Sequence, residues 1–239
     1  MDMLLHRKRG YVTDKHIRVV GLLAGIDFAR YSIQTKSGET RMEIRYRAGR
    51  KEDSEEIAKM INTASDGVVE YLFHGLLPGM SAAQVMAQDL ANGTYPHTYE
   101  GAVVACDGND LVGMALSYPS SYHRITDEMR GFLPQERLEH FSVFFSSRVE
   151  NTWFLDALCV IESHRRSGIA DKLISLAKEK AVKNGYTALS LIVFADNALA
   201  IPVYERTGFE VIRKVELRGN EFIKHDSGCL LMKCKITST

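Results

Sequence analysis

A strand–helix–strand pattern in the second half of the chain constrains its fold more than any other feature. The apolar run WFLDALCVI (153–161) is followed by a helical pattern from about 168 to 183, and then by a second apolar run, ALSLIVF (188–194). Such runs predict buried strands, and two buried strands joined through a helix lie parallel in one sheet. The pattern therefore predicts a βαβ unit inside an α/β fold.

Other segments predict antiparallel strands around this unit. The alternating segment EIRYRAG (43–49) predicts a strand near a sheet edge. The runs GAVVAC and DLVGMALSY flank a DGN turn and predict a hairpin over 101–118. The last two runs, FEVIRKVEL (209–217) and GCLLMKCKI (228–236), predict a closing antiparallel pair. The sheet is therefore expected to be mixed.

Helical periodicity recurs before and between these strands. Ile57, Met60, Ile61 and Ala64 have the spacing of one helix face, behind Asp53 and Ser54 as candidate N-caps. A second helical zone, about 68–92, is broken at Pro78 and Gly79, and Ser81 is the candidate cap of its second part. Two further helices are expected near 135–147 and 198–206.

The composition argues against two classes of partner. The chain has 239 residues, 45% of them hydrophobic and 25% charged, as in an ordinary globular domain. Its 30 basic and 30 acidic side chains cancel, so no overall field draws it to nucleic acid or to an anionic membrane. The longest early apolar stretch, VVGLLAGI (19–26), is shorter than the roughly 20 residues that span a bilayer. We therefore expect no nucleic-acid or membrane partner.

The four cysteines predict a reducing compartment. Cys106, Cys159, Cys229 and Cys234 lie in apolar, strand-like runs, without a CxxC pair or the spacing of zinc ligands. Thiols in that setting are core side chains and not disulfide partners. We expect a cytoplasmic location and no bound metal.

The segment HRRSGIADKL (164–173) lies at the entrance of the helix in the βαβ unit. The unpaired amides of a first helical turn attract anions, and Gly168 lets a ligand approach the backbone closely. Arg165 and Arg166 add positive charge where a diphosphate would lie. Taken alone, the segment is explained as well by a glycine that eases a tight loop beside two solvated arginines. No GxxxxGK[ST] sequence occurs, and no GxGxxG follows a predicted strand.

Two motifs in the correct order favour the phosphate site. Arg165-x-x-Gly168-x-Ala170 resembles the [QR]-x-x-G-x-[GA] coenzyme A signature of the GCN5-related N-acetyltransferase (GNAT) superfamily. The positions of that family's N-x-x-A-x-x-x-Y-x-x-x-G-F ending are held by Asn197, Ala200, Tyr204, Gly208 and Phe209. The resemblance covers about 43–236. It implies an α/β (α+β) fold with a mixed, mostly antiparallel sheet, a central parallel strand pair and flanking helices.

The resemblance also implies how acetyl coenzyme A (acetyl-CoA) binds as co-substrate. In the family, the pyrophosphate lies on amides of the signature loop, and the pantetheine arm bonds like an added strand to the preceding strand. The contacts that this implies here come from Leu158, Cys159, Val160, Arg165, Arg166, Ser167, Gly168, Ile169, Ala170, Asp171, Asn197 and Tyr204. Asn197 is equally a candidate N-cap and can serve both roles.

Tyr204 and Asp156 are the candidate catalytic residues. A thiolate leaving group has a pKa of about 8.5, and the family's tyrosine at the position of Tyr204 is often assigned as the acid that protonates it. The alternative is a tyrosine that only orients the sulfur. An acceptor amine titrates near about 10.4 and must lose a proton. Asp156 is the candidate base, expected on the same strand face as Leu158; a structural carboxylate is the alternative. We expect the Leu158 amide to polarise the carbonyl and Cys159 not to act as nucleophile.

The predicted function is therefore acetyl-CoA-dependent N-acyl transfer (EC 2.3.1) to a primary amine, of a small molecule or a protein, by direct attack in a ternary complex. A non-catalytic acyl-CoA-binding sensor and an interaction protein are the alternatives. The acceptor amine is expected to bind against residues of the segments 68–99 and 118–150. These segments contain the aromatic and histidine residues Tyr71, Phe73, His74, Tyr118, Tyr122 and His123, and no acidic cluster of the kind that binds a polyamine.

The first 41 residues depart from the family pattern, which normally starts near Met42. We expect two parts: an N-terminal extension over 1–41 and a GNAT-like acetyltransferase domain over 42–239. The extension is interpreted as a flexible tail, with an added hairpin or docking element as the alternative. Because family members are often dimers, the resemblance also implies a homodimer.

Overall fold

The computed structural model of this chain describes residues 30–33, 42–93 and 96–236. The strands in these ranges are β1 (Arg30–Ile33), β2 (Met42–Ala48), β3 (Ala102–Asp107), β4 (Asp110–Pro119), β5 (Trp153–Val160), β6 (Ala188–Phe194), β7 (Glu210–Val215) and β8 (Cys229–Lys235). The helices are α1 (Ser54–Ala64), α2 (Val68–Phe73), α3 (Ala82–Asn92), α4 (Asp127–Phe132), α5 (Gln135–His140), α6 (Ser142–Ser146), α7 (Ile169–Lys183) and α8 (Ile201–Arg206).

The eight described strands form one sheet in the order β1-β2-β3-β4-β5-β6-β8-β7. β5 and β6 are parallel, and every other neighbouring pair in this order is antiparallel. The predicted hairpin is β3–β4, and the predicted closing pair is β7–β8. The expected fold class, a mostly antiparallel sheet with one parallel pair and flanking helices, is confirmed.

Helices cover both faces of the sheet. On one face, α7 buries Leu173, Ile174 and Ala177 against strand residues such as Leu155 and Leu189. The opposite face is covered by α1 and α3, with core residues Ile57, Ile61, Leu90, Val104 and Leu116. A third cluster lies under α2, α5 and the region of β7 and β8, with Leu72, Leu138, Phe141, Val215 and Leu231. Covering both faces explains why the central strands are apolar without alternation.

Local signals set the helix ends. The Ser81 hydroxyl accepts the Gln84 amide at 3.2 Å, and the Gln84 side chain accepts the Ser81 amide at 2.8 Å. The predicted cap of the second helical part is therefore confirmed as a capping box. The single helix expected near 135–147 is instead divided into α5 and α6 at Phe141, a fully buried ring. α4 was not expected, and it begins after Thr126, whose hydroxyl accepts the Met129 amide.

The N-terminal segment contributes one described strand. β1 pairs antiparallel with β2, with Arg30 opposite Arg45 and Ile33 opposite Met42. Residues 1–29 and 34–41, including the apolar stretch 19–26, lie outside the described residues. The division of the chain at residue 42 stays a prediction. Within the described ranges, no helix has the length and apolar character needed to cross a bilayer.

A lysine is buried between α7 and the start of β3. Lys180 is 5% exposed, and its ammonium donates to the Gly101 carbonyl at 2.7 Å and to the Glu100 carbonyl at 3.3 Å. It also lies 6.0 Å from the centre of the Trp153 ring. Burial lowers the pKa of Lys180 to about 8, because the charged form loses its hydration.

This burial predicts a pH-dependent stability. Below pH 8 the lysine is charged in both the folded and the unfolded state, so the folded state bears the desolvation cost. Between about pH 8 and about pH 10.5 the folded state alone has released the proton, so the free energy of unfolding rises with pH, by about 3 kcal/mol in total. Urea unfolding of Lys180→Met at about pH 7 and about pH 9.5 should lack this rise. The exposed Lys183→Met on the same helix is the control and should keep it; equal pH dependence in both variants would contradict the assignment.

Candidate active site

The parallel strands β5 and β6 pair over only two positions. Trp153 lies opposite Leu189 and Phe154 opposite Ser190, and the described pairing ends there. Beyond this point, β5 stays paired with β4 and β6 stays paired with β8. The two strands therefore diverge toward their carboxyl ends and leave a gap between them.

The backbone groups of Leu158 and Val160 face this gap. In an antiparallel pair, residues that exchange hydrogen bonds with the partner strand alternate with residues whose N–H and C=O point away from it. The Ile161 amide donates to the Val112 carbonyl of β4 at 3.0 Å. Leu158 and Val160, three positions and one position earlier, therefore have the opposite orientation. Accordingly, the Val160 carbonyl accepts a hydrogen bond from Arg165 Nε at 3.2 Å.

The entrance of α7 presents a row of free amides. The backbone N–H groups from Arg166 to Asp171 have no acceptor in the described parts of the chain. Arg166 and Gly168 both adopt left-handed conformations, with φ of 60° and 83°, and such turns direct successive amides toward one side. A Cβ atom added at Gly168 would meet nothing within 4 Å, so the space beside it is open. Together with the positive end of the α7 dipole, this turn can hold an anion.

One cavity of about 1170 Å³ connects the strand gap to this turn. The predicted site residues that line it are Asp156, Leu158, Cys159, Val160, Arg165, Arg166, Ala170, Asn197 and Tyr204. The predicted residues outside the lining are Ser167, Gly168, Ile169 and Asp171. Ile169 is buried in the core, and the Asp171 carboxylate forms two 2.9 Å hydrogen bonds with Arg206. Of the six residues with free amides, Arg166 and Ala170 therefore line the cavity itself, and these four form the rest of the turn.

Asn197 lies between the cavity and α8. Its side-chain oxygen accepts the Ala200 amide at 2.9 Å, and its carbonyl accepts the Ile201 amide at 3.1 Å. The predicted capping role is therefore present, one turn before the helix itself begins. Because Asn197 also lines the cavity, capping fixes its position there without preventing contact with a ligand.

Tyr204 projects from α8 into the same cavity. Its ring packs edge-on against Phe209 at 5.7 Å, and its hydroxyl has no hydrogen-bond partner among the described residues. Burial raises the pKa of Tyr204 to about 12. The phenol is therefore protonated throughout the physiological range. It can donate a hydrogen bond, although it is a weaker acid than a tyrosine in water.

Asp156 occupies a β-bulge. Leu116 faces Ala157 and Ser117 faces Leu155, so Asp156 has no opposite residue in β4. The bulge interrupts the alternation of β5. Leu155 before it and Leu158 after it both pack against the α7 side of the sheet. The expectation that Asp156 shares a face with Leu158 is therefore wrong.

The carboxylate of Asp156 has two partners, both from outside β5. The Tyr118 hydroxyl donates to one oxygen at 2.7 Å, and His97 Nε2 lies 3.6 Å from the other. Burial favours the neutral acid, but hydrogen bonding and charge from His97, together with the Tyr118 hydroxyl, hold the pKa of Asp156 below its usual range. Burial also opposes a charge on His97, but the Asp156 carboxylate raises the pKa of His97 above its usual value. The charged forms of Asp156 and His97 therefore stabilise each other.

His97 was not predicted from the sequence. It follows α3 as a single histidine, and no local motif connects it with a carboxylate 59 positions later. In the sequence, Tyr118 is one of several aromatic residues in the segments expected to bind the acceptor, and nothing links it to Asp156. Only the fold reveals this cluster, because the bulge in β5 turns Asp156 toward the side chains of both His97 and Tyr118.

His123 forms part of the adjoining wall. Its ring stacks on Phe154 with centres 4.2 Å apart, and its Nε2 atom lies 3.1 Å from the Phe144 carbonyl. Burial lowers the pKa of His123 to about 4, so the ring is neutral at physiological pH. In this wall His123 therefore acts as an aromatic surface and carries no charge.

Cys159 is poorly suited to act as a nucleophile. Cys159 lines the cavity, but burial raises the pKa of its thiol, which lowers the thiolate fraction that a nucleophile needs. All four cysteines are buried and unpaired. Within the described ranges, no group of three histidine, cysteine or acidic side chains has the arrangement of a metal site.

Comparison with solved structures places the fold. A structure described as an acetyltransferase is 24% identical, with a TM-score of 0.57, and the alignment covers 80% of this chain and 99% of the other. An N-acetyltransferase from Staphylococcus aureus Mu50 is 21% identical, with a TM-score of 0.59 and coverage of 80% and 99%. A putative acetyltransferase from Salmonella typhimurium, solved with its cofactor acetyl-CoA, is 16% identical, with a TM-score of 0.52 and coverage of 82% and 96%. These similarities show the fold alone.

A family model identifies the chain more directly. The search of curated proteins gave no match. The model of the acetyltransferase (GNAT) family matches residues 80–209, which is more than half of the chain. This range contains β3 to β6, the free amides at the entrance of α7, and both Asp156 and Tyr204. The chain therefore belongs to the GNAT acetyltransferase family.

Proposed function

We propose that this protein transfers the acetyl group of acetyl-CoA to a primary amine, by direct attack of the amine in a ternary complex. One observation carries the proposal. Arg166 and Ala170, two of the residues with free amides at the entrance of α7, line the same cavity as Leu158 and Val160 of the unpaired β5 edge, as a ligand with a diphosphate and an amide-containing arm requires.

The cofactor would bind along this path. The pyrophosphate would lie on the amides of 166–171, with Arg165 and Arg166 adding positive charge. The pantetheine arm would bond to the backbone groups of Leu158 and Val160, like an added strand. Arg165 would release the Val160 carbonyl in this arrangement, and Asn197 would contact the arm from the α8 side.

The transfer would involve one bond made and one bond broken. The amine nitrogen attacks the thioester carbon, whose oxygen is polarised by the Leu158 amide, and the carbon–sulfur bond then breaks. The proton lost by the amine passes to the Asp156–His97 pair, in the form of the enzyme in which the His97 ring is neutral. The leaving sulfur receives a hydrogen bond and finally a proton at the Tyr204 hydroxyl, which is restored from solvent, so that a proton moves overall from nitrogen to sulfur.

A non-catalytic acyl-CoA-binding module is the alternative. It would need the amides and the strand gap, but not an ion pair and a phenol in the same cavity. The presence of Asp156, His97 and Tyr204 along one cavity favours the enzyme. The cytoplasmic location and the homodimer stay predictions from the sequence.

The anion site can be tested by calorimetric titration of acetyl-CoA. Gly168→Asp places a negative charge among the free amides and should weaken binding by roughly a hundredfold or more. Gly185→Asp is a matched control, because Gly185 has φ of 82° and equally open surroundings at the other end of α7. The control should bind with the wild-type Kd. Equal binding by both variants, or no binding to the wild type, would overturn the proposal.

Tyr204→Phe tests the role of the phenol. The variant keeps the ring and its packing on Phe209 but removes the donor, so kcat should fall by roughly tenfold to a hundredfold while the Kd of acetyl-CoA stays unchanged. Tyr186→Phe, a partly buried tyrosine packed against Trp153 outside the cavity, is the control and should keep full activity. Turnover by Tyr204→Phe at the wild-type rate would leave Tyr204 only a packing role.

The Asp156–His97 pair predicts a particular pH profile. If the pair must take up a proton, kcat/KM should rise with pH through the elevated pKa of His97, above about pH 6.5. In Asp156→Asn the carboxylate is gone, so burial lowers the pKa of His97, and the rising limb should move to lower pH as kcat falls. The wild type and Asp156→Asn are measured with the same amine from about pH 5 to about pH 9, so that the titration of the amine contributes equally to both profiles. A limb at the same pH in both proteins would contradict the role of the pair.

A further inference from the structure

The inference concerns the half of the cavity that is remote from Arg165 and Arg166. We infer that the acceptor is a primary monoamine on an apolar body, of the arylalkyl or branched-alkyl type, and is neither a polyamine nor a peptide N-terminus. The inference rests on the proposed function, because it identifies the amine that enters that site.

The walls of this half are apolar and come from several elements. Partly buried side chains of the third cluster line it: Phe73 of α2, Ile125, Met129 of α4, Phe144 and Phe145 of α6, and Ile192 of β6. From the opposite side, α1 and α3 contribute Ile61, Val85 and Met86. Such walls favour a ligand that removes apolar surface from water.

Charge divides the cavity into two ends. The cofactor end has Arg165 and Arg166, whereas the cavity is lined elsewhere by Asp89, Asp127, Glu128 and Asp156, with Arg124 as a basic neighbour. A further lining carboxylate, Asp66, is paired with His225 at 2.7 Å. An anionic donor and a cationic acceptor therefore each meet complementary charge. Of these carboxylates, Asp156 is the least exposed, with a side chain 20% exposed, while Asp89, Asp127 and Glu128 are exposed.

This distribution favours a single amino group. An ammonium can be paired at Asp156, where it lies beside the bonds to be made. A second cation would lie either among Phe144 and Phe145, where an unpaired charge is costly, or beside exposed carboxylates such as Glu128, where solvent weakens the pairing. A polyamine therefore fits this half poorly.

The same wall offers few partners to a peptide backbone. The Phe144 carbonyl is bonded to His123, and the Leu72 carbonyl accepts Arg137 at 3.0 Å. A peptide would need to satisfy its own amides at each residue it buries. A compact apolar body carries no such requirement.

An acceptor panel tests the inference on the full chain. Acetyl-CoA is offered with 2-phenylethylamine, with spermidine, or with a short peptide that has a free N-terminus, and both thiol release and product mass are measured. We expect kcat/KM for 2-phenylethylamine to exceed the values for the other two acceptors by at least about tenfold, because the other two lack an apolar group that packs against these walls. A preference for spermidine or for the peptide would overturn the inference. Failure of all three while acetyl-CoA still binds would overturn it without affecting cofactor binding, whereas absence of acetyl-CoA binding would remove the proposed function itself.

Two wall variants sharpen the test. Phe145→Ala should raise KM for 2-phenylethylamine by roughly tenfold, and Met129→Glu should shift preference toward spermidine, because it supplies a carboxylate for a second cation. Val143→Glu is the control, since Val143 is an exposed apolar residue of α6 that does not line the cavity, and it should retain wild-type kinetics. Acetyl-CoA binding at the wild-type Kd serves as the folding check. Equal KM values in all three variants would overturn the inference.

Discussion

The early end of pairing between β5 and β6 is the constraint on which the site depends. The two strands are held together at one end by ladder pairing and by a 2.7 Å hydrogen bond between the buried hydroxyls of Thr152 and Ser190. Farther along, each is committed to its other neighbour, β4 or β8. The unpaired edge of β5 would be unfavourable in a closed core, because backbone groups without partners are costly when buried. An open gap beside a helix entrance allows those groups to be satisfied by a ligand.

The second constraint is the bulge at Asp156. The bulge changes which residues of β5 face α7. The Asp156 carboxylate therefore lies on the side of the sheet where His97 and Tyr118 are found. A regular strand would have directed Asp156 toward the same face as Leu158. One extra residue therefore directs the side chains of Asp156 and Leu158 to different faces of the sheet, although both residues line one cavity.

The residues of local motifs could be predicted from the sequence, and the residues of the acceptor side could not. The entrance of α7 is local: Arg165, Gly168 and Ala170 lie within six positions, and a glycine followed by an amphipathic helix has a narrow set of conformations. Asn197 and Tyr204 belong to one short turn and helix. By contrast, His97 meets Asp156 only because α3 and β5 are packed in one particular way, and the break at Phe141 depends on a ring buried by residues distant in the chain.

The sequence by itself determined the βαβ unit and the mixed sheet, because apolar periodicity decides these features. Its two motifs also indicated the family and the position of the turn with free amides at the entrance of α7. Only the tertiary structure decided three others. They are the orientation of Asp156, its pairing with His97, and the apolar walls of the cavity half remote from Arg165 and Arg166, to which α1 to α4, α6 and β6 all contribute. These features depend on register, bulges and packing between distant segments, and no local pattern of residue types specifies them.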